Sequence, residues 1–253
     1  MTNKLKYFIG NWKMFGDFSS IKIINKLNKF YSKFKKIHYK NKIILCVPYT
    51  LIHFFKEKNK SKHIYFGAQD CHQHQTNGPF TGSISASMIK KVGAQYVILG
   101  HSENRSSGDT NHKIKDKIKS ALNEKLRIIF CIGETFKERK EKKTISVLRK
   151  QIKGSIDKKY NLNKIIIAYE PVWSIGTGNV PQKNELRKIF IFIKREIKKT
   201  FKIKSFPIVI YGGSVNAKNI NMFSSISEID GFLIGGASRS SKKFIDIIKN
   251  YYK

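Results

Sequence analysis

The sequence predicts an α/β protein folded as a single-domain (β/α)8 barrel with eight parallel strands, and three observations carry that expectation. Eight short runs of β-branched and aromatic residues recur along the 253-residue chain, each continuously apolar rather than alternating, as strands buried on both faces must be. Longer polar stretches with helical apolar spacing separate them, so the chain reads as repeated strand–helix units. No Pro/Gly-rich linker or composition break interrupts residues 1–253, which favours one closed barrel over an open doubly wound sheet.

In order, the runs are Tyr7-Phe8-Ile9, Ile43-Ile44-Leu45-Cys46-Val47, Ile64-Tyr65-Phe66, Tyr96-Val97-Ile98-Leu99, Ile128-Ile129-Phe130-Cys131-Ile132, Ile165-Ile166-Ile167-Ala168-Tyr169, Ile208-Val209-Ile210-Tyr211 and Phe232-Leu233-Ile234. Between them, Ile21, Ile24, Leu27, Asn28, Tyr31 and Phe34 form one helical stripe, and Leu186, Ile189, Phe190, Ile193 and Ile197 form another. The basic stretch 137–159 reads as a solvated outer helix face rather than a nucleic-acid patch.

Composition limits the function classes. Hydrophobic residues make up 40% and aromatics 12%, enough for a substantial core, which argues against disorder. The formal charge is +33, yet only seven of the 50 basic residues are Arg, and 38 Ile and 18 Asn stand against seven Ala. These enriched residues share A/T-rich codons, and bidentate base recognition would use Arg, so no specific nucleic-acid partner is expected. Cys46, Cys71 and Cys131 form no C-x-x-C pair and cannot all pair within the chain, which points to a reducing compartment. Residues 1–8 do not lead into an apolar export signal, and no segment reaches the roughly 18 apolar residues of a membrane span. A cytoplasmic protein without a membrane partner is the expectation.

Active sites of such barrels lie at the C-terminal ends of the strands, and the chemically unusual residues fall there. Asn11 and Lys13 follow strand one, His101 and Glu103 follow strand four, and Glu170 ends strand six. Tyr211-Gly212-Gly213-Ser214 and Gly235-Gly236-Ala237-Ser238 end strands seven and eight. Paired glycines let backbone N–H groups approach an anion closely, so these two loops together read as a phosphate site; singly, each is a tight turn. Stiff Glu170-Pro171-Val172-Trp173 followed by flexible Ile175-Gly176-Thr177-Gly178 reads as a lid with a fixed hinge, or more plainly as a surface loop.

Seven blocks then carry a specific resemblance: Asn11-Trp12-Lys13-Met14, Gly100-His101-Ser102-Glu103, Cys131-Ile132-Gly133-Glu134, Tyr169-Glu170-Pro171-Val172-Trp173, Ile175-Gly176-Thr177-Gly178, Tyr211-Gly212-Gly213-Ser214-Val215 and Gly235-Gly236-Ala237-Ser238. In this order and spacing they resemble the triosephosphate isomerase family, the type case of the TIM barrel. The resemblance implies interconversion of dihydroxyacetone phosphate and D-glyceraldehyde 3-phosphate in glycolysis and gluconeogenesis, with no cofactor and no metal. It makes Glu170 the base and His101 the electrophile, a pairing for which this family is itself the known example. Lys13 and Asn11 join His101 as donors to the developing oxyanion, and Lys13 also faces a phosphorylated substrate.

Carried over the same way, Gly176, Ser214, Gly235 and Gly236 surround the phosphate, and Tyr211 holds the lid closed through its hydroxyl. Trp173 anchors the lid, Glu103 supports Lys13 by an ion pair, and Cys131 is a packed thiol near Glu170 rather than a nucleophile. A positive barrel mouth should draw in a dianionic substrate, an effect that salt screens. The family usually forms a homodimer in which the loop after strand three reaches the neighbour's site, and Thr81-Gly82 matches its tip.

Several residues depart from the family pattern. Asn179-Val180-Pro181 shortens the second hinge of the lid, Ser174 stands where Ala is common, and Arg239 replaces a Leu. Ser83 and Asn104 replace a Glu and an Arg that commonly pair, so a salt bridge is lost without leaving an unpaired charge. Three alternatives remain. A phosphosugar aldolase or synthase would need a Schiff-base lysine, for which only Lys13 is placed. A nucleic-acid binder would rest on charge alone, and an inactive scaffold should have lost Lys13, His101 or Glu170, all of which are present.

Overall fold

The computed structural model describes residues 5–34 and 41–253, and every expected run lies within a strand except for Val47. The strands are β1 Lys6–Asn11, β2 Asn41–Cys46, β3 Ile64–Ala68, β4 Tyr96–Leu99, β5 Arg127–Ile132, β6 Ile165–Tyr169, β7 Ile208–Tyr211 and β8 Gly231–Ile234. They pair in parallel and in sequence order, and β8 returns to β1 to close the barrel. At that seam Tyr7 lies opposite Gly231 and Gly10 opposite Ile234. Residues 1–4, part of the segment expected to lack an export signal, fall outside the described residues.

The period of two explains why the runs are continuously apolar. Ile44, Cys46, Ile98, Ile129, Cys131, Ile166, Ala168 and Ile210 form one buried cluster within the barrel. Their neighbours Ile43, Leu45, Val97, Leu99, Ile128, Phe130, Ile165 and Ile167 belong to a second cluster, shared with the helices. Both faces of each strand are therefore removed from water, and neither position tolerates a polar residue without a partner.

Among the described residues, ten α-helices cover the barrel: α1 Ile21–Lys33, α2 Tyr49–Lys58, α3 Ala86–Lys91, α4 Ser102–Ser106, α5 Asn111–Asn123, α6 Phe136–Lys140, α7 Thr144–Ser155, α8 Lys183–Phe201, α9 Ile220–Ser224 and α10 Ser241–Tyr251. The α8 stripe is buried as expected, together with Lys194, whose ammonium lies 2.7 Å from Asp230. In α1 the buried positions are Ile24, Leu27, Phe30 and Tyr31. Phe34 leaves the expected stripe because the helix ends at Lys33, and its ring is 41% exposed. Stretch 137–159 forms α6 and α7, broken where Lys142 takes φ 57°; Leu148 and Ile152 face inward while the lysines face water.

One buried charge cluster ties the end of β3 to α5. Lys117 Nζ lies 2.8 Å from Asp70 Oδ2 and 2.8 Å from Asp109 Oδ2. Burial opposes the ammonium's charge, but the two carboxylates outweigh it and raise its pKa. Removing the cation leaves the two carboxylates to Lys113, whose Nζ lies 3.2 Å from Asp109 Oδ1, and takes the partner from partly exposed Asp70. Lys117→Met should therefore destabilise the fold by roughly 3–5 kcal/mol, a fall of roughly 6–20 °C in thermal midpoint by circular dichroism. A shift below about 2 °C would mean that the cluster contributes nothing net.

Candidate active site

The first donors stand where β1 ends. Asn11 Oδ1 accepts from the Lys13 N–H at 3.1 Å, and Lys13 takes φ 56°. That left-handed backbone costs a non-glycine residue about 1–2 kcal/mol. Gln69 restrains it, its Nε2 donating to Lys13 O at 2.9 Å and to Cys46 O at 3.0 Å. The lysine ammonium then meets Glu103 Oε1 at 2.6 Å, the ion pair expected from the resemblance.

After β4, Gly100 turns the chain at φ 74° and His101 caps α4. Its Nδ1 accepts from the Glu103 N–H at 3.3 Å, which leaves Nε2 as the nitrogen that carries a hydrogen. That nitrogen lies 3.6 Å from Glu170 Oε1. Arg105 fixes the turn from behind, its Nε donating to Gly100 O at 2.8 Å and its guanidinium reaching Cys131 O at 3.3 Å.

Glu170 follows β6 and donates its N–H to Ile132 O at 2.8 Å. This approach requires glycine on both sides. A Cβ at Gly133 would lie 1.8 Å from Glu170 O, and one at Gly212 would lie 2.5 Å from Glu170 Cγ. The residue is only 3% exposed, and its Oε2 has no N–H or O–H donor. Burial raises the pKa of its carboxyl, partly offset by His101, the Cys131 thiol and Lys13, while Glu103 adds to the rise. Burial likewise pushes the Cys131 thiol up, so it stays protonated and is a poor nucleophile.

The segment after Glu170 is anchored at its first end. Trp173 Nε1 donates to Glu134 Oε1 at 2.9 Å, the Tyr169 hydroxyl donates to Glu134 Oε2 at 3.1 Å, and the Arg139 guanidinium lies 4.0 Å from the Trp173 ring centre. Gly176 and Gly178, at φ 72° and 81°, have no atom within 4 Å of a would-be Cβ. The Tyr211 hydroxyl lies 3.0 Å from Ser174 Oγ, and the Ser214 N–H donates to that same oxygen at 3.3 Å.

A cavity of about 240 Å³ brings together Asn11, Lys13, His101, Glu170, Gly176, Ser214, Gly235 and Gly236, roofed by Ile175. Glu103, Cys131 and Tyr211 stand outside the lining; the first meets Lys13, the second lies beside Glu170 and the third bonds Ser174. Arg239 lies on the far side of Gly236, its guanidinium 3.7 Å from the Phe15 ring centre and against the Gly236 backbone, in a neighbouring cavity of about 320 Å³ that Gly236 also lines. A larger cavity of about 950 Å³ lies between α5, α7 and α8, but its exposed lysines and paired acids present no converging base and donor. Among the described residues no group of three His, Cys, Asp or Glu is placed to hold a metal ion. Gln69, Arg105, Glu134 and the bonding of Ser174 were not anticipated. For Gln69 and Glu134 the only local signal is a polar or charged residue just past a strand end, and Arg105 lies within α4.

Proton-accepting and proton-donating side chains converging with glycine loops at the C-terminal mouth of a closed parallel barrel define a (β/α)8-barrel enzyme. A family profile described as triosephosphate isomerase matches residues 6–251. Proteins named triosephosphate isomerase from Dictyoglomus thermophilum and Yarrowia lipolytica are each 38% identical to the chain, over 97% and 96% of its length and 99% and 98% of theirs. A crystal structure of triosephosphate isomerase from Bartonella henselae aligns with a TM-score of 0.88 at 33% identity, covering 98% of this chain and 99% of that one. The chain belongs to the triosephosphate isomerase family, and with it to the isomerases.

The buried carboxyl has a measurable consequence. A carboxyl whose pKa is raised on folding holds its proton more tightly in the folded state, so stability falls as pH climbs from the ordinary value of 4.5 through the raised one. Glu170→Gln removes that penalty. Relative to wild type, the variant should gain stability between about pH 4 and neutrality in urea unfolding. An equal difference at both pH values would contradict the raised pKa.

Proposed function

We propose that the protein interconverts dihydroxyacetone phosphate and D-glyceraldehyde 3-phosphate, acting in glycolysis and gluconeogenesis in the cytoplasm as one barrel domain spanning the chain. The observation that carries this reading is the facing of buried Glu170 and His101 across 3.6 Å in a cavity lined by glycine loops. Glu170 removes a proton from the carbon beside the substrate carbonyl and returns it to the adjacent carbon. Its raised pKa makes it a stronger base than an exposed glutamate. Negative charge then develops on the carbonyl oxygen, where the His101 Nε2–H, the Lys13 ammonium and the Asn11 amide supply donors already in place.

The phosphate is taken by backbone N–H groups at Ser214, Gly235 and Gly236 and, from the lid, at Gly176. Closure over the enediolate excludes water, and this family is itself a known case of such closure. Isomerisation of glyceraldehyde 3-phosphate, coupled to reduction of the product, tests the reading. Wild-type protein should turn over rapidly, and Glu170→Gln should lose about 10²–10⁴-fold in kcat. Folded wild-type protein without turnover would refute it.

The same reading includes a homodimer. Met14 is 94%, Phe15 53% and Phe18 61% exposed, an apolar group beside the active-site mouth of the kind that a partner covers. Sedimentation at micromolar concentration should give a dimer, and a fully active monomer would overturn this part of the reading.

A further inference from the structure

We infer that Ser174 is a positioning residue for the proton-transfer step, its hydroxyl closing the lid on itself and fastening it to the loop after β7. The inference rests on the isomerase reading above. Ser174 is 0% exposed, and three groups converge on its Oγ: Asn179 O at 2.5 Å, the Tyr211 hydroxyl at 3.0 Å and the Ser214 N–H at 3.3 Å. Proton counting orders them. A carbonyl oxygen only accepts, so the single Ser174 hydrogen goes to Asn179 O, and Tyr211 and Ser214 both donate to Oγ. One hydrogen and two lone pairs are then fully used.

The bond to Asn179 O closes a ring around the lid tip, residues 175–178. Thr177 closes it further, Oγ1 donating to Trp173 O at 3.1 Å and accepting from the Asn179 N–H at 3.2 Å. A tip made flexible by Gly176 and Gly178 thus becomes an internally bonded turn that moves as a unit. Tyr211 and Ser214 fasten that unit over the cavity, where Ile175 and Gly176 form part of the lining. The short hinge Asn179-Val180-Pro181 is part of the arrangement, because Asn179 O is already one end of the ring. The alanine common at this position in the family has no hydroxyl and makes none of these bonds.

A loosened lid exposes the enediolate to elimination. Its oxyanion re-forms a carbonyl, the C=C pair moves to the neighbouring carbon–carbon bond, the C–O bond to phosphate breaks, and inorganic phosphate leaves with that electron pair. The test follows inorganic phosphate released per isomerisation, with full-length protein and glyceraldehyde 3-phosphate, for wild type, Ser174→Ala, Tyr211→Phe and the double variant. A purely structural loss removes folded enzyme and lowers both products together, leaving the ratio unmoved. We expect the ratio to rise at least about threefold in each single variant, with the double variant no higher than the larger single, because both changes break one shared bond. An unmoved ratio in a folded Ser174→Ala enzyme that still isomerises would overturn the inference, as would multiplying effects in the double variant. If Ser174→Ala does not fold, an unmoved ratio in Tyr211→Phe overturns it alone. Wild-type protein making neither product would instead refute the isomerase reading, and this inference with it.

Discussion

A carboxylate withdrawn from water must be paired or held at an energetic cost, and Glu170 is held. One of its oxygens lies 3.6 Å from His101 Nε2 and the other has no N–H or O–H donor. Much of the surrounding architecture follows from keeping this group in place. Its backbone hydrogen-bonds to Ile132 on β5, and Gly133 and Gly212 lack side chains where any Cβ would collide with it. Close packing of β5, β6 and β7 is what turns those three local facts into one fixed position. The free energy given up here comes from the barrel's own burial, which leaves neither face of a strand in water.

Around Glu170, groups that lie outside the cavity decide where the chemically useful atoms point. Gln69 restrains the left-handed backbone of Lys13, and Arg105 holds the turn from which His101 projects. Glu134 receives hydrogen bonds from both Tyr169 and Trp173, joining the last residue of β6 to the start of the segment that follows Glu170. Each is a hydrogen bond or ion contact in a poorly solvated place, where an orientation once set is expensive to change. Donors arranged in advance need no rearrangement when charge develops on the substrate.

The departures from the family pattern acquire distinct physical meanings. Arg239 stacks on Phe15 while its guanidinium stays beside the Gly235-Gly236 turn, so the additional cation packs the first loop against the last. The shortened hinge and Ser174 belong together, because the serine hydroxyl reaches the carbonyl at the hinge's start. The large positive charge is spread over outward-facing lysines such as those of α6 and α7.

Pattern alone made the barrel legible. Continuous apolar runs such as Ile165-Ile166-Ile167-Ala168-Tyr169 specify strands buried on both faces, and stripes such as Leu186 to Ile197 specify covering helices, because periodicity is a local property of the chain. Asn11, Lys13, His101 and Glu170 were legible for a related reason: each stands at or just past the end of a strand, and a barrel sends every such position to one mouth. Phe34 was misplaced because the point where a helix ends depends on the backbone beyond its stripe. Gln69, Arg105 and Glu134 could not be read, since each acts on a residue tens of positions away or through a backbone atom that carries no sequence signal. The raised pKa of Glu170 and the three bonds of Ser174 were settled by tertiary structure alone, because burial and hydrogen-bond partnership exist only once separate strands and loops share one small volume.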